Sequence, residues 1–251
     1  MKKQFLNLLK SSFLATGMVL CSGSLINVLY AQKNPTADSG KIASNTSIIS
    51  AKKINPTTIE VLLDNDQKMI FDFYGENIFR IFQDNSGKMM REPESKPEAH
   101  ILVENPRRPV SKLDMADHNN LITITTGSIK IDLDKKTSLL KVFNQKTNKI
   151  VIEETQPFEF KKERVLVTLK ENNDEYFYGG GVQNGRFSHK GKSIAIENLS
   201  TWTDLGVASP TPFYWSSKGY GFMWYTFKEG NYDFGSKTKG SVSLAHNTGY
   251  L

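Results

Sequence analysis

The chain has 251 residues and a single cysteine, Cys21, which lies in an N-terminal stretch with the character of a leader. A mature chain without that stretch has no disulfide and no thiolate chemistry, so its stability rests on burial of a core. The roughly 220 residues beyond the leader are enough to bury one. Long helical periodicity is also lacking: nothing after the leader sustains a 3.6-residue apolar repeat for more than about two turns. Nor is there a strong charge of one sign. The formal net charge is +6, and setting aside Lys2, Lys3 and Lys10 of the leader leaves 29 basic residues against 26 acidic ones, interspersed along the chain. Lys161-Lys162-Glu163-Arg164 reads as a solvated strand start. With no basic stripe, a nucleic-acid partner is not expected. His189 and His246 have no metal-ligand spacing with Asp, Glu or Cys; they read as surface or turn residues, and no metal or other cofactor is expected.

What is present begins with Lys2 and Lys3 ahead of Phe5-Leu6 and Leu8-Leu9, followed by an apolar stretch running to Ala31. A basic start, an apolar middle and a small residue before Gln32 read as a signal peptide over 1–31, and so as export to the periplasm, cell surface or medium. Lys10, Ser11, Ser12 and Ser22 interrupt the stretch and make it a poor membrane span. Leu20 argues against lipid attachment at Cys21. Residues 32–45 are small and polar and read as a linker; a single domain is expected over 46–251.

From Thr46 the apolar period is two. Thr57 to Leu63, Met69 to Tyr74, Asn77 to Phe82, Leu121 to Thr126, Ile129 to Asp134, Leu139 to Phe143, Ile150 to Ile152 and Val165 to Leu169 are short β-branched or aromatic runs separated by turn residues. This spacing predicts an all-β fold, a β-sandwich, rather than βαβ units. Asp84 to Asn120, with Pro93, Pro97, Pro106 and Pro109, breaks the rhythm and reads as a long irregular excursion.

Two stretches stand out for chemistry. In Tyr176-Phe-Tyr-Gly-Gly-Gly-Val-Gln-Asn-Gly-Arg-Phe-Ser-His189, the run Gly179, Gly180, Gly181 removes every Cβ from one piece of backbone, which permits positive φ or close approach by another surface. It is not a phosphate loop, because no G-x-x-x-x-G-K-[ST] follows and no helix starts after Gly181. A structural turn is expected there. Between Trp202 and Phe234, 11 of 33 residues are aromatic, against 11% over the whole chain. Such rings suit either a dense inter-sheet core or a platform for sugar C–H faces.

These motifs, with Pro210-Thr-Pro-Phe-Tyr-Trp-Ser-Ser-Lys-Gly-Tyr-Gly-Phe222 and Gly230-Asn-Tyr-Asp-Phe-Gly235, resemble the N-terminal β-sandwich of glycoside hydrolase family 31. That family includes α-glucosidases, α-xylosidases, α-glucosyltransferases and α-glucan lyases. The resemblance implies a galactose-mutarotase-like sandwich preceding a (β/α)₈ barrel, whose two aspartates perform retaining chemistry on an α-linked oligo- or polysaccharide. No residue here matches either catalytic aspartate, so the chain reads as the N-terminal portion of such an enzyme, inactive alone, with the barrel as its missing partner. The resemblance further implies that Asp233 contacts substrate hydroxyls and that Tyr232 lines the same wall; a strand-end turn aspartate is the alternative. Arg186 is expected to fix the sandwich to the barrel through a carboxylate. A stand-alone carbohydrate-binding or structural sandwich is the competing reading of the whole chain.

Overall fold

The structure, a computed structural model, describes residues 47–83, 110–161, 164–198 and 206–248. The expected signal peptide and linker, Cys21, most of the excursion after Asp84, and Trp202 lie outside the described residues.

The fold is all-β and antiparallel. Four strands form a meander in which each pairs with the next: β1 (Ile48–Asn55), β2 (Thr58–Leu63), β3 (Lys68–Gly75) and β4 (Ile78–Gln83). β5 (Asp114–His118), β6 (Leu121–Thr125), β7 (Ile129–Asp134), β8 (Leu140–Asn144), β9 (Ile150–Lys161) and β10 (Arg164–Lys170) follow as a second meander. Then come β11 (Phe177–Gln183), β12 (Ser193–Ile196), β13 (Val207–Ser216), β14 (Tyr220–Met223), β15 (Gly230–Phe234) and β16 (Ser241–His246). Strands β12, β15 and β16 extend the second meander into a nine-stranded sheet of order β12-β15-β16-β10-β9-β8-β7-β6-β5, while β11, β13 and β14 make a separate three-stranded sheet.

Two cores result, each following from period-two patterning. Ile129, Ile131 and Leu133 of β7, with Ile122, Ile124, Leu140 and Val142, face Ile59, Val61, Phe71 and Phe73 of the four-stranded sheet. Val165, Val167 and Leu169 of β10, with Val242, Leu244, Tyr232 and Phe234, pack on Phe177 and Tyr214 of the three-stranded sheet. Ile152 and Phe158 of β9 pack against both cores. β9 is far longer than the run Ile150 to Ile152 predicted. It carries Pro157, which can donate no ladder hydrogen bond; the pairing with β10 accordingly shifts register between Leu166–Glu159 and Thr168–Gln156.

The excursion after Asp84 ends sooner than expected. Asp114 to His118 form β5, although Asp-Met-Ala-Asp-His has little strand propensity. This segment is the outer edge of the nine-stranded sheet, where polar side chains are suited to an unpaired edge. Glu76 clasps the four-stranded sheet to its neighbour: its carboxylate accepts from the Ser111 backbone and hydroxyl at 2.5 and 2.7 Å and from Gly127 N–H at 2.6 Å.

Candidate functional site

The three-glycine run does not form a turn. Gly179, Gly180 and Gly181 lie inside β11, with φ of 108°, 77° and 83°, and the pairing of β11 with β13 shifts register on either side of Gly181. They form a bulged strand against which β13 is drawn unusually close. A Cβ on Gly179 would lie 2.7 Å from the Phe213 carbonyl oxygen; one on Gly181 would collide with the Ser209 carbonyl and lie 2.8 Å from Pro210 Cα. Ser209 opposite also has a left-handed φ of 49°, so both strands are distorted at one level.

The polar residues that follow the glycines hold this backbone in place. His189 Nε2 lies 2.8 Å from the Gly179 carbonyl, and Gln183 Nε2–H donates to the Gly180 carbonyl at 2.9 Å and to Ala195 O at 3.2 Å. Arg186 donates to Gln183 Oε1 and Ser193 O, each at 3.4 Å. The motif thus braces its own bulge, and Arg186 has partners inside the domain. His189 and His246, expected near the surface, are 2% and 0% exposed. The sequence could not show this, because what buries each ring is a distant strand. Among the described residues, no group of three His, Cys, Asp or Glu gathers as a metal site.

Alternation along β13 puts Tyr214 inward, and Phe213 and Trp215 outward. Trp215 is in register with Tyr178 of β11, and Phe213 with Met223 of β14. The Tyr178 and Trp215 rings stack with centroids 4.3 Å apart and planes at 25°, while Phe187 meets Tyr178 edge-on at 5.9 Å. Trp215 is 47% exposed and Phe187 89%. Tyr176 and Phe213 are also exposed. This is a contiguous aromatic face on the outside of the three-stranded sheet, not a scatter of single rings. The sequence showed the abundance of rings but not which would face out, because Phe213, Tyr214 and Trp215 are aromatic on both faces of the strand.

Asp233 and Tyr232 lie elsewhere, on β15. Asp233 is 4% exposed; its carboxylate accepts from the Ser193 hydroxyl and from Lys237 N–H at 3.1 Å. Tyr232 is fully buried, its hydroxyl 2.9 Å from His246 Nε2, while His246 Nδ1 lies 2.9 Å from Lys228 O. Nδ1–H therefore donates to that carbonyl, and Nε2 accepts from the tyrosine. Burial pushes His246 down to about 4, so the ring is neutral over most of the physiological range. Tyr232→Phe leaves Nε2 buried without a donor and is expected to cost about 1–3 kcal/mol. Urea denaturation of the two proteins reads this directly.

An antiparallel sandwich of these sheets, with a braced glycine bulge beneath an aromatic face, has the architecture of a galactose mutarotase-like domain. The chain belongs to the glycosyl hydrolase 31 N-terminal galactose mutarotase-like domain family, whose model matches residues 68–233. Comparison with curated proteins gives no match. Among solved structures, the Flavobacterium johnsoniae GH31 dextranase FjDex31A, complexed with glucose, superposes with a TM-score of 0.74 at 17% identity, over 82% of this chain and 26% of that one. The cycloalternan-forming enzyme from Listeria monocytogenes, in complex with a pentasaccharide substrate, gives 0.68 at 16% identity, over 81% and 19%. A GH31 α-xylosidase from a soil metagenome, complexed with xylose, gives 0.63 at 18% identity, over 79% and 31%. The chain thus spans between about a fifth and a third of the structures it matches.

Proposed function

We propose that this chain is the non-catalytic N-terminal domain of an exported enzyme acting on α-linked glucans, by hydrolysis or glucosyl transfer, and that its aromatic face presents a platform to the polysaccharide. The observation that carries this reading is the stacked Tyr178–Trp215 pair, Trp215 exposed and Tyr178 half-buried, set side by side by the pairing of β11 with β13. Large rings with open faces lie well against sugar C–H surfaces, while hydroxyls stay solvated at the edges. The glycine bulge sets the height of the platform, and Asp233 fixes β12 to β15 beside it. The N–H groups that Arg186 does not use inside the domain remain available to a carboxylate of an adjoining catalytic domain.

Electrophoresis of the purified chain through gels containing dextran or soluble starch tests the platform. The wild type is expected to be retarded, and the Tyr178→Ala/Trp215→Ala double variant to run as in a sugar-free gel while still melting cooperatively, its stability lower by about 1 kcal/mol or more for the lost stack. Equal mobility of the wild type with and without polysaccharide, or equal retardation of both proteins, would remove the platform role.

A further inference from the structure

A second feature lies along β14, which pairs with β13 and, among the described residues, with no other strand. In antiparallel pairing every second residue turns its N–H and C=O to the partner strand, and the residues between turn theirs away. Trp224 N–H donates to the Pro212 carbonyl at 2.8 Å, while Tyr214 stands opposite Phe222 and Ser216 opposite Tyr220. That phase turns Tyr220, Phe222 and Trp224 toward β13 and leaves Gly221 and Met223 facing out. Both are exposed, and among the described residues their N–H and C=O groups have no backbone partner.

These groups border a cleft of about 720 Å³ that residues 219–225 line without a gap, with β4 on the opposite wall. A strand that offers a face lines a cavity with alternate residues, so an unbroken run means that β14 offers its edge. The floor is apolar and includes Val142, Val167 and Leu169. Glu154 of β9 is the acid of the lining among the described residues. It is 5% exposed and accepts Leu140 N–H at 2.9 Å, and burial pushes its carboxyl up to about 8. With that carboxyl neutral, Arg80 and Lys146 give the lining a positive charge.

We propose that the edge of β14 receives an extended segment of a partner polypeptide as an added strand, apolar at alternate residues and acidic at the end that reaches Lys146. The N–H and C=O groups of such a segment recur every two residues, as those of Gly221 and Met223 do, and its side chains alternate between the floor and solvent. At strand and sheet spacings an extended residue takes up on the order of 160 Å³. The cleft therefore holds about four or five residues, close to the length of β14. An alkyl ligand would use the floor but not the edge. The site is separate from the platform, since Tyr178 and Trp215 do not line it.

The test titrates the 251-residue chain into two fluorescein-labelled peptides of alternating valine and threonine, one with glutamate at its amino end and one at its carboxyl end. It is run at about pH 6, below the range in which Glu154 ionises. Saturable anisotropy is expected for at least one peptide, with slowed hydrogen exchange at the Gly221 and Met223 amides. N-methylation removes donors and keeps the side chains; on one of the two alternate sets of peptide amides it is expected to weaken binding about tenfold or more. Met223→Pro removes an outward N–H without touching the bonds to β13 and is expected to weaken binding by about as much. Lys146→Glu is expected to weaken it about threefold or more. The methylated peptides read the same contact on the wild-type chain even if Met223→Pro does not fold. No saturable binding of either peptide overturns the proposal, as does affinity within about twofold for both methylated sets, for Met223→Pro or for Lys146→Glu. Self-association of the chain that Met223→Pro abolishes also overturns it and gives the edge to a second copy.

Discussion

Gly181→Ala is expected to cost on the order of 3–5 kcal/mol and to abolish or severely weaken the folded state. Two penalties act together. The backbone at Gly181 has φ of 83°, which an L-residue occupies at a cost of roughly 1–2 kcal/mol. The added methyl also meets backbone rather than a yielding side chain: the Ser209 carbonyl, Pro210 Cα at 2.8 Å and Thr211 N at 2.8 Å. Relief requires β13 to withdraw, breaking its register with β11 and unstacking Trp215 from Tyr178. Domains of this size are stable by only about 5–15 kcal/mol, so the loss takes a large share of the total. Gly191→Ala and Gly219→Ala isolate the first penalty, because their φ values are 68° and 87° with nothing within 4 Å of the new methyl. Urea titrations followed by tryptophan emission should place both controls about 1 kcal/mol below wild type and Gly181→Ala far lower. A Gly181→Ala midpoint equal to the controls would show that β13 yields freely.

Glu154→Gln is expected to stabilise the domain at alkaline pH and to leave it nearly unchanged at acid pH. Burial pushes the Glu154 carboxyl up to about 8 from an ordinary 4.5. The native state therefore keeps its proton over a range in which the unfolded chain has lost it. Stability falls as pH rises from 4.5 to about 8, then levels off. That interval corresponds to a loss of several kcal/mol, at about 1.4 per pH unit, and glutamine removes it. His246 has the opposite sense. Its neutral form is favoured in the fold, so its contribution is lost as pH falls from 6.5 towards about 4. Between 4.5 and 6.5 the two slopes oppose one another, and wild-type stability is expected to be nearly flat there. Calorimetry across pH should show that plateau, an alkaline decline in wild type, and no alkaline decline in Glu154→Gln. A parallel decline in both proteins would assign the alkaline loss to other groups.

Much of the fold was legible as alternation. Thr58 to Leu63, Ile129 to Asp134 and Val165 to Leu169 form strands where their apolar period predicts, because one face of each is buried and the other is not. Polar edges were less legible: Asp114 to His118 become a strand only because β6 offers a partner. The site was read in part. The glycine run and its polar followers stood out in the sequence, but their mutual bracing depends on a bulge that only pairing with β13 reveals. Glu154 was invisible, since Ile150-Val-Ile-Glu-Glu reads as a strand running into two solvated acids. Its neighbour Glu153 does take that role, bonded to Lys141 and Lys170, while the pleat turns Glu154 inward.

The placement of β16 sets the order in which the molecule can assemble. In the first lobe most strands pair with their sequence neighbours, so its hairpins can close locally and fast. In the second, β10 waits for β16: Val165 pairs with His246, and β15 joins the sheet only alongside β16. Closing that long loop is slow, as non-local pairings are. During synthesis the open side of β10 therefore stays unpaired until Ser241 to His246 have left the ribosome. For that interval the nascent chain carries an exposed strand edge next to a half-formed aromatic core, the state most in need of a chaperone.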